Sequence, residues 1–367
     1  MITSIVSSLQ QELKKNFIEA LLLFNSSRKD PNVLYATNLD YEYVLVFITP
    51  TTVQVCVSPM EYHRALSESS ATVKKLMGNP LKHLAELCKQ HHVKTLAFNA
   101  SFCSLNEFKY FKKELRNNNV TILWKDFSKQ FRALRQIKTP DEIVSLRKAC
   151  SITDTIFSQV LKQFHTFKTE MEVADYIHTF VRHHGLVESF DTIVASGHHA
   201  SLPHYRTAAK PLTKGFCVID FGVRYKNYCS DMTRTIYLGT PSNKEIELYH
   251  HVWKAQTSTI ELLAKERERR CTKLYHHTTQ QLGGLKKYFI HGLGHGVGIE
   301  IHEGPSLSPK SKERLKENMV ITIEPGIYLP NKAGIRIEDT ILITRKGYEM
   351  LTRSAKELIC LKGKSFV

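Results

Sequence analysis

His295 sits in a segment where glycines alternate with larger residues, His291-Gly-Leu-Gly-His-Gly-Val-Gly-Ile-Glu-Ile-His302-Glu303. Four acids in apolar, β-prone surroundings accompany it. Asp220 lies in Phe216-Cys-Val-Ile-Asp-Phe-Gly222, and Asp231 lies in the Thr-, Ile- and Tyr-rich stretch 228–238. Glu324 ends Met319-Val-Ile-Thr-Ile, and Glu338 lies within the β-branched stretch 335–344. A lone carboxylate in an apolar strand is costly to bury, so it is neutralised by a proton, a cationic partner or a metal. Two divalent cations would neutralise all four together, four negative charges against four positive, with hydroxide bridging. An oxygen-rich donor set with one imidazole suits Mn, Co or Fe better than a thiolate-type structural zinc. Two such ions, roughly 3.5–4 Å apart, clamp and activate one water. Any one acid alone reads equally well as a surface residue or a helix cap; the five together leave that reading little room.

The elements that must position these groups are strands. The polar stretch Arg224-Tyr-Lys-Asn227 suits a hairpin that pairs the Asp220 and Asp231 strands. Pro325-Gly326 stops the Glu324 strand, because proline has no N–H to give a ladder. Arg336 and Glu338, two apart in one strand, share a face, so Arg336 is expected to hold Glu338 or a neighbouring ligand. Cys229 shares a face with Asp231 by the same parity, although a small buried thiol is its ordinary role. Gly292, Gly294, Gly296 and Gly298 mark close approach of a ligand or another backbone.

These pieces, taken in order, resemble the prolidase and aminopeptidase P group of the M24 "pita-bread" metallopeptidases. They are Asp220-Phe-Gly, Ser230-Asp231-Met-Thr-Arg234-Thr, the glycine-rich histidine segment, Glu324-Pro-Gly-Ile-Tyr328 and Gly334-Ile-Arg-Ile-Glu338-Asp. The resemblance implies that Asp220, Asp231, His295, Glu324 and Glu338 ligate two divalent metals, Mn before Co, Fe or Zn, with Asp231 and Glu338 bridging. It implies that His204, in Ser196-Gly-His-His-Ala-Ser-Leu-Pro-His-Tyr, contacts substrate near the scissile bond. His302 would bind the carbonyl or the tetrahedral intermediate, and His291 would be the third pocket histidine. Tyr328 and Arg336 match supporting positions, and Glu324 is the implied general base and proton shuttle. A metal-bridging hydroxide would attack the carbonyl before proline, the proton passing to the leaving nitrogen.

The resemblance extends over nearly the whole chain. Ala20-Leu-Leu-Leu-Phe and Asp30-Pro-Asn-Val-Leu-Tyr-Ala-Thr37 are similar to the start of a creatinase-type N-terminal domain, with Asn38 where glycine is usual. Ile137-Lys-Thr-Pro-Asp-Glu-Ile143 resembles the opening of the catalytic domain. A Pro-Gly turn usual between two helices in the region 261–281 is missing, and Lys265-Glu-Arg-Glu-Arg-Arg270 stands there instead. The implied activity is an Xaa-Pro aminopeptidase acting on short peptides with proline second; the alternative is an Xaa-Pro dipeptidase. A non-catalytic RNA- or protein-binding relative conflicts with an intact ligand set. A creatinase-like hydrolase works without these ligands, and methionine aminopeptidase usually lacks a domain like residues 1–135.

The 367 residues are enough for two domains. The expectation is α+β: a creatinase-like α/β domain over 1–135, then a pita-bread catalytic domain over 136–367. Thr139-Pro140-Asp-Glu142 makes a capping box, Thr169-Glu-Met-Glu172 and Ser242-Asn-Lys-Glu245 mark two more helix starts, and apolar residues from Leu146 to Phe164 keep a helical period. Eight cysteines without CxxC spacing read as reduced thiols of a cytoplasmic protein. Neither a secretory signal nor a membrane span is evident. The 51 basic against 35 acidic residues give +16, dispersed apart from 265–273 and the tail at Lys362 and Lys364. Without aromatic interleaving this reads as a basic surface rather than a nucleic-acid site. The family likeness also implies a homodimer.

Overall fold

The computed structural model describes residues 2–69, 71–265 and 267–362; Lys364 of the basic tail lies outside them. The chain divides into two compact units, Met1–Arg135 and Gln136–Val367, and both mix helices with strands.

In the first unit β1 (Ala20–Phe24), β2 (Val44–Ile48), β3 (Val53–Val57), β4 (Thr72–Lys75), β5 (Thr95–Phe98) and β6 (Leu123–Asp126) form one sheet, in the order β4-β3-β2-β1-β5-β6. β2 pairs antiparallel with β1 and β3, and the remaining ladders are parallel. Val-Leu-Val-Phe-Ile of β2 is buried at every position, which is why its run is apolar without alternation. Asn79 and Ser104 cap the helices Pro80–Gln90 and Leu105–Asn117, and these lay Leu84, Cys88, Phe111 and Leu115 onto Leu22, Leu45 and Phe47. Asn38 closes the helix Pro31–Thr37 at a φ of 62°, its N–H donating to the Leu34 carbonyl. Asparagine is among the few residues that tolerate left-handed backbone, so its replacement of the usual glycine leaves this turn intact.

The second unit carries β7 (Val187–Glu188), β8 (Ile193–Ser196), β9 (Gly215–Phe221), β10 (Val223–Tyr225), β11 (Tyr228–Cys229), β12 (Met232–Leu238), β13 (Gly294–Gly296), β14 (Glu303–Leu307), β15 (Val320–Ile323), β16 (Gly326–Leu329), β17 (Ala333–Arg336), β18 (Asp339–Thr344), β19 (Gly347–Met350) and β20 (Cys360–Leu361). Two larger sheets run β20-β12-β9-β8 and β14-β13-β15-β18-β19; β11-β10-β7 and β16-β17 are small. The helices Pro140–Gln163 and Glu170–His183 each start on a complete capping box and pack Phe157, Val160 and Ile177 against Ile219, Phe221 and Ile236 of the first sheet. The helices Asn243–Lys265 and Cys271–Leu282 bring Val252, Leu263 and Leu274 to Ile321, Ile341 and Ile343 of the second. Each of these apolar side chains contributes about 1.5–3 kcal/mol when fully buried.

Where the Pro-Gly turn is missing, Arg269 makes the joint. Its guanidinium donates to the carbonyls of Leu263 (2.9 Å) and Thr344 (3.2 Å), and its own carbonyl accepts from the Leu315 amide at 2.7 Å. This basic residue is spent on backbone rather than displayed. All eight cysteines are free thiols. No helix among the described residues is long and apolar enough to cross a membrane.

Candidate metal centre

The four acids stand at the ends of two antiparallel strand pairs. The turn Lys226-Asn227, with φ of 46° and 71°, joins β10 to β11, so the hairpin read from the polar stretch is present as a small sheet of its own. Beyond it β9 pairs with β12, Asp220 opposite Thr233, which brings Asp231, one residue before β12, to the same end. β15 pairs with β18, Ile323 opposite Asp339, so Glu324 follows one strand where Glu338 precedes the other. The two pairs are stitched together. The Glu338 amide donates to the Thr233 carbonyl at 3.1 Å, the Thr233 hydroxyl donates to Glu338 Oε2 at 2.6 Å, and the Thr340 hydroxyl donates to the Asp231 carbonyl at 2.7 Å.

His295 lies on β13, whose neighbours β14 and β15 approach too closely for side chains. A Cβ on Gly294 would stand 2.1 Å from the Thr322 carbonyl oxygen, and one on Gly296 2.0 Å from that of Gly304. Gly294 and Gly296 therefore admit backbone, one of the two readings open from sequence, while Gly298 makes room for the Glu303 carboxylate. Nδ1 of His295 lies 3.1 Å from the Gly296 carbonyl, an atom that only accepts, so Nδ1 carries the proton. Nε2 is left for the acids, 3.3 Å from Glu324 Oε1 and 3.5 Å from Asp231 Oδ2.

The electrostatics of this cluster follow from burial. Burial, then the neighbouring carboxylates, push Asp231 and Glu338 well above the usual carboxylate range. Burial raises Asp220 as well, against the opposing charge of Arg336. Burial acts the same way on Glu324, but the hydrogen bond and charge of His295 outweigh it and hold that carboxyl at about 2. His295 is raised in turn, Glu324 overcoming the cost of burial. Asp220 Oδ1 is buried without a hydrogen-bond partner, a deficiency that costs about 1–3 kcal/mol. Carboxyls forced to keep protons and an orphaned carboxylate oxygen are what a cation would relieve. Donor atoms of Asp231, His295 and Glu338 lie within 4.8 Å of one another, so the residues fit divalent metal.

A cavity of about 400 Å³ opens on these groups. His204, His291, His302 and Arg336 line it together with all five acid and imidazole donors. Tyr328 stands behind them. Arg336 donates to the Tyr328 hydroxyl at 2.8 Å, and that hydroxyl lies 3.0 Å from His291 Nε2. His291 Nδ1 is 2.7 Å from the Gly292 carbonyl, so the chain runs in one direction, from guanidinium through phenol to a neutral imidazole. Burial lowers His291, in keeping with that state. Burial and the nearby His295 lower His302 too, and the two rings meet edge to face at 4.4 Å.

The matches to known proteins agree with this geometry. Residues 144–345 match the model of metallopeptidase family M24, and residues 6–137 match the creatinase/prolidase N-terminal domain. The chain belongs to metallopeptidase family M24. It is 36% identical over 368 residues to an Xaa-Pro dipeptidase of Pyrococcus horikoshii, covering 96% of this chain and 98% of the relative. It is 38% identical over 316 residues to the Xaa-Pro dipeptidase of Pyrococcus furiosus, covering 83% and 85%. The crystal structure of the X-Pro aminopeptidase from Thermotoga maritima superposes with a TM-score of 0.87 at 29% identity, over 94% of this chain and 98% of that one.

One expectation is corrected within the M24 unit. Residues 335–344 are not one strand: β17 ends at Arg336, β18 begins at Asp339, and the two lie in different sheets. Arg336 and Glu338 therefore share no strand face, and of the two expected partners, Glu338 or a neighbouring ligand, the guanidinium grips the neighbour, Asp220; Thr233 serves Glu338. Cys229 takes the ordinary role expected of it, a small buried thiol, 3.5 Å from the Ile299 carbonyl and not among the cavity-lining residues. Sequence reasoning passed over the groups behind the histidines. Glu170 accepts from Ser196, His199 and Tyr205. Lys138 and Glu303 form a buried pair at 2.8 Å next to His302. Only the position of Lys138 inside Ile137-Lys-Thr-Pro, and of Glu303 beside His302, signals the second of these.

Proposed function

We propose that this M24 metallopeptidase is an Xaa-Pro dipeptidase with two divalent metals, Mn before Co, Fe or Zn. The observation that carries the catalytic reading is the orphaned, buried Asp220 oxygen within a cluster of acids and one imidazole. Preference for a dipeptide draws support from the similarity, over nearly the full chain, to relatives named Xaa-Pro dipeptidases.

Asp220, Asp231, His295, Glu324 and Glu338 would hold the metals. When bound, the ions supply Lewis-acid polarisation of the scissile carbonyl and a water activated at neutral pH. The rest is the work of side chains. Glu324 accepts the proton that the attacking water gives up and delivers it to the departing proline nitrogen. His302 donates to the carbonyl oxygen as it gains charge, and His204 holds the substrate beside the scissile bond. His291, with Tyr328 and Arg336 in line behind it, fixes the wall on which they act. Phe190, Ile193 and Ile301 add apolar surface to the lining, which suits a pyrrolidine ring; the amide before proline has no N–H and asks for no acceptor.

The test is hydrolysis of a matched Xaa-Pro dipeptide and Xaa-Pro-Yaa tripeptide by protein stripped of metal and reloaded with Mn²⁺. Faster cleavage of the dipeptide is the expected result. Faster cleavage of the tripeptide supports the second reading, an Xaa-Pro aminopeptidase, which the likeness to the Thermotoga maritima structure favours. Inactivity on both with no metal retained ends the catalytic reading.

A further inference from the structure

Glu170 opens the helix Glu170–His183 and its side chain is 0% exposed. A glutamate so placed is costly unless both its oxygens are hydrogen-bonded, and both are. Oε1 accepts from the Ser196 amide (2.7 Å), the Ser196 hydroxyl (2.9 Å) and His199 Nδ1 (3.0 Å); Oε2 accepts from the Tyr205 hydroxyl (2.8 Å). All four donors belong to one short segment, from the last residue of β8 to Tyr205. The His199 and Tyr205 rings also stack, 4.7 Å apart and 14° from parallel.

The same segment is held from its other side. Arg336 donates to the Pro203 carbonyl at 3.2 Å, and the Ala200 carbonyl oxygen stands 1.7 Å from where a Cβ on Gly334 would be. His204 lies between these two grips. It is itself exposed and lines the cavity. Its neighbour Pro203 is tied to the arginine that holds Asp220, and its neighbour Tyr205 is tied to Glu170. An exposed histidine on an irregular turn has no fixed place of its own; here the chain on each side of it is pinned to a buried charge.

We infer that Glu170 is a positioning residue for substrate recognition, clamping Ser196, His199 and Tyr205 so that His204 is presented to the peptide at one fixed place. Glu170 does not line the cavity and acts only through those three. The inference rests on the reading of His204 as a substrate contact, but the clamp itself can be tested without activity.

Two variants of the full-length, Mn²⁺-loaded protein test it. Glu170→Gln keeps the shape but replaces one acceptor oxygen with a donor, while Tyr205→Phe removes a single bond and is the milder change. Hydrogen exchange should speed up about tenfold or more at the amides of Ser196, Leu202 and Tyr205 in Glu170→Gln, with exchange in the helix Pro140–Gln163 unchanged. Mn²⁺ stoichiometry and affinity should stay as in the wild type. For the Xaa-Pro dipeptide, kcat/KM should fall about tenfold in Tyr205→Phe, since small displacements of positioning groups carry costs of this size. In a His204→Ala background the same change should cost less than twofold, because the two residues act as a unit. Unchanged exchange over 196–205 overturns the clamp. Equal costs of Tyr205→Phe with and without His204 overturn its link to substrate. A wild type inactive on both peptides overturns the functional reading alone, and exchange still decides the clamp.

Discussion

The floor of the cavity and its histidine wall are supported in different ways. Asp220, Asp231, Glu324 and Glu338 stand on or next to paired strands; Thr233 and Thr340 tie Glu338 and Asp231 across the two pairs, Thr322 donates to Glu324, and Arg336 grips Asp220. His204 and His302 are exposed and lie outside the strands. The anchors that serve their segments are buried charges brought from far along the chain: Glu170 is 35 residues from Tyr205, and Lys138 is 165 from Glu303. Strand pairing places the floor's acids, and polar contacts such as Thr233–Glu338 and Arg336–Asp220 then tie the two pairs together, whereas His204 and His302 lie in no strand and depend on such contacts for their place. Damage to the two regions should therefore look different.

The largest effect is expected on the floor. Glu338→Ala or Asp231→Ala removes one of the proposed metal donors, and the loss of activity should exceed the ~100-fold that marks the upper end for residues merely supporting a ligand. Metal content measured after gel filtration should fall with it. Retention of both metals with little loss of activity would show that the cluster is not the metal centre.

Lys138→Met strikes the wall. It takes the Lys138 ammonium away from the Glu303 carboxylate, 7% exposed, and breaking a buried pair from one side costs about 3–5 kcal/mol. Chemical denaturation should register that loss, and the double variant Lys138→Met/Glu303→Gln should recover most of it. Metal affinity should hold in both. A loss of metal that parallels the loss of stability would mean that floor and wall are one unit.

Proton linkage separates the regions again, at smaller scale. Asp231 and Glu338 are raised by burial and by neighbouring acids, so each binds more proton folded than unfolded. Without metal, the stability they contribute is full below the unfolded value near about 4 and is lost as pH rises through their raised folded values. Divalent ions require the ionised carboxylates, and acid should weaken their binding. His295 and Glu324 do not reverse the sign: the histidine is raised and must lose its proton to ligate, and the glutamate, held at about 2, stays ionised. The gap in Tm between Mn²⁺-loaded and chelated protein should thus widen from pH 5 to pH 7. A constant gap would contradict the assignment of these carboxyls as ligands.

The same contrast explains what could be read in the sequence. The floor was legible because each acid ends or interrupts a β-branched run and because glycines marked where β13 meets its neighbours. Sequence leaves the partner of Arg336 open between Glu338 and a neighbouring ligand, because residues 335–344 look like one strand and nothing local shows the change of sheet between Arg336 and Asp339. Glu170 read as part of a helix start, which it is, and its contacts with 196–205 leave no periodic trace. The aminopeptidase reading came first from the motifs, while the named relatives favour the dipeptidase. The motifs describe the floor, common to both activities; the choice between them depends on how the far end of the cavity meets the peptide.

The smallest expected effect sets the scale for the rest. Arg147 and Glu349 make a two-pronged pair at 2.8 and 2.7 Å, as short as that of Lys138 and Glu303. Their side chains remain 45% and 30% exposed. Water and salt screen such a pair, and its geometry must be held against the entropy of two long side chains, so Arg147→Met should cost no more than about 1 kcal/mol. It should change neither metal content nor peptide hydrolysis, and its cost should shrink in 1 M salt, where the effect of Lys138→Met persists. A comparable loss from both variants would show that burial is not what makes the Lys138–Glu303 anchor strong, and the proposed difference between floor and wall would lose its physical basis.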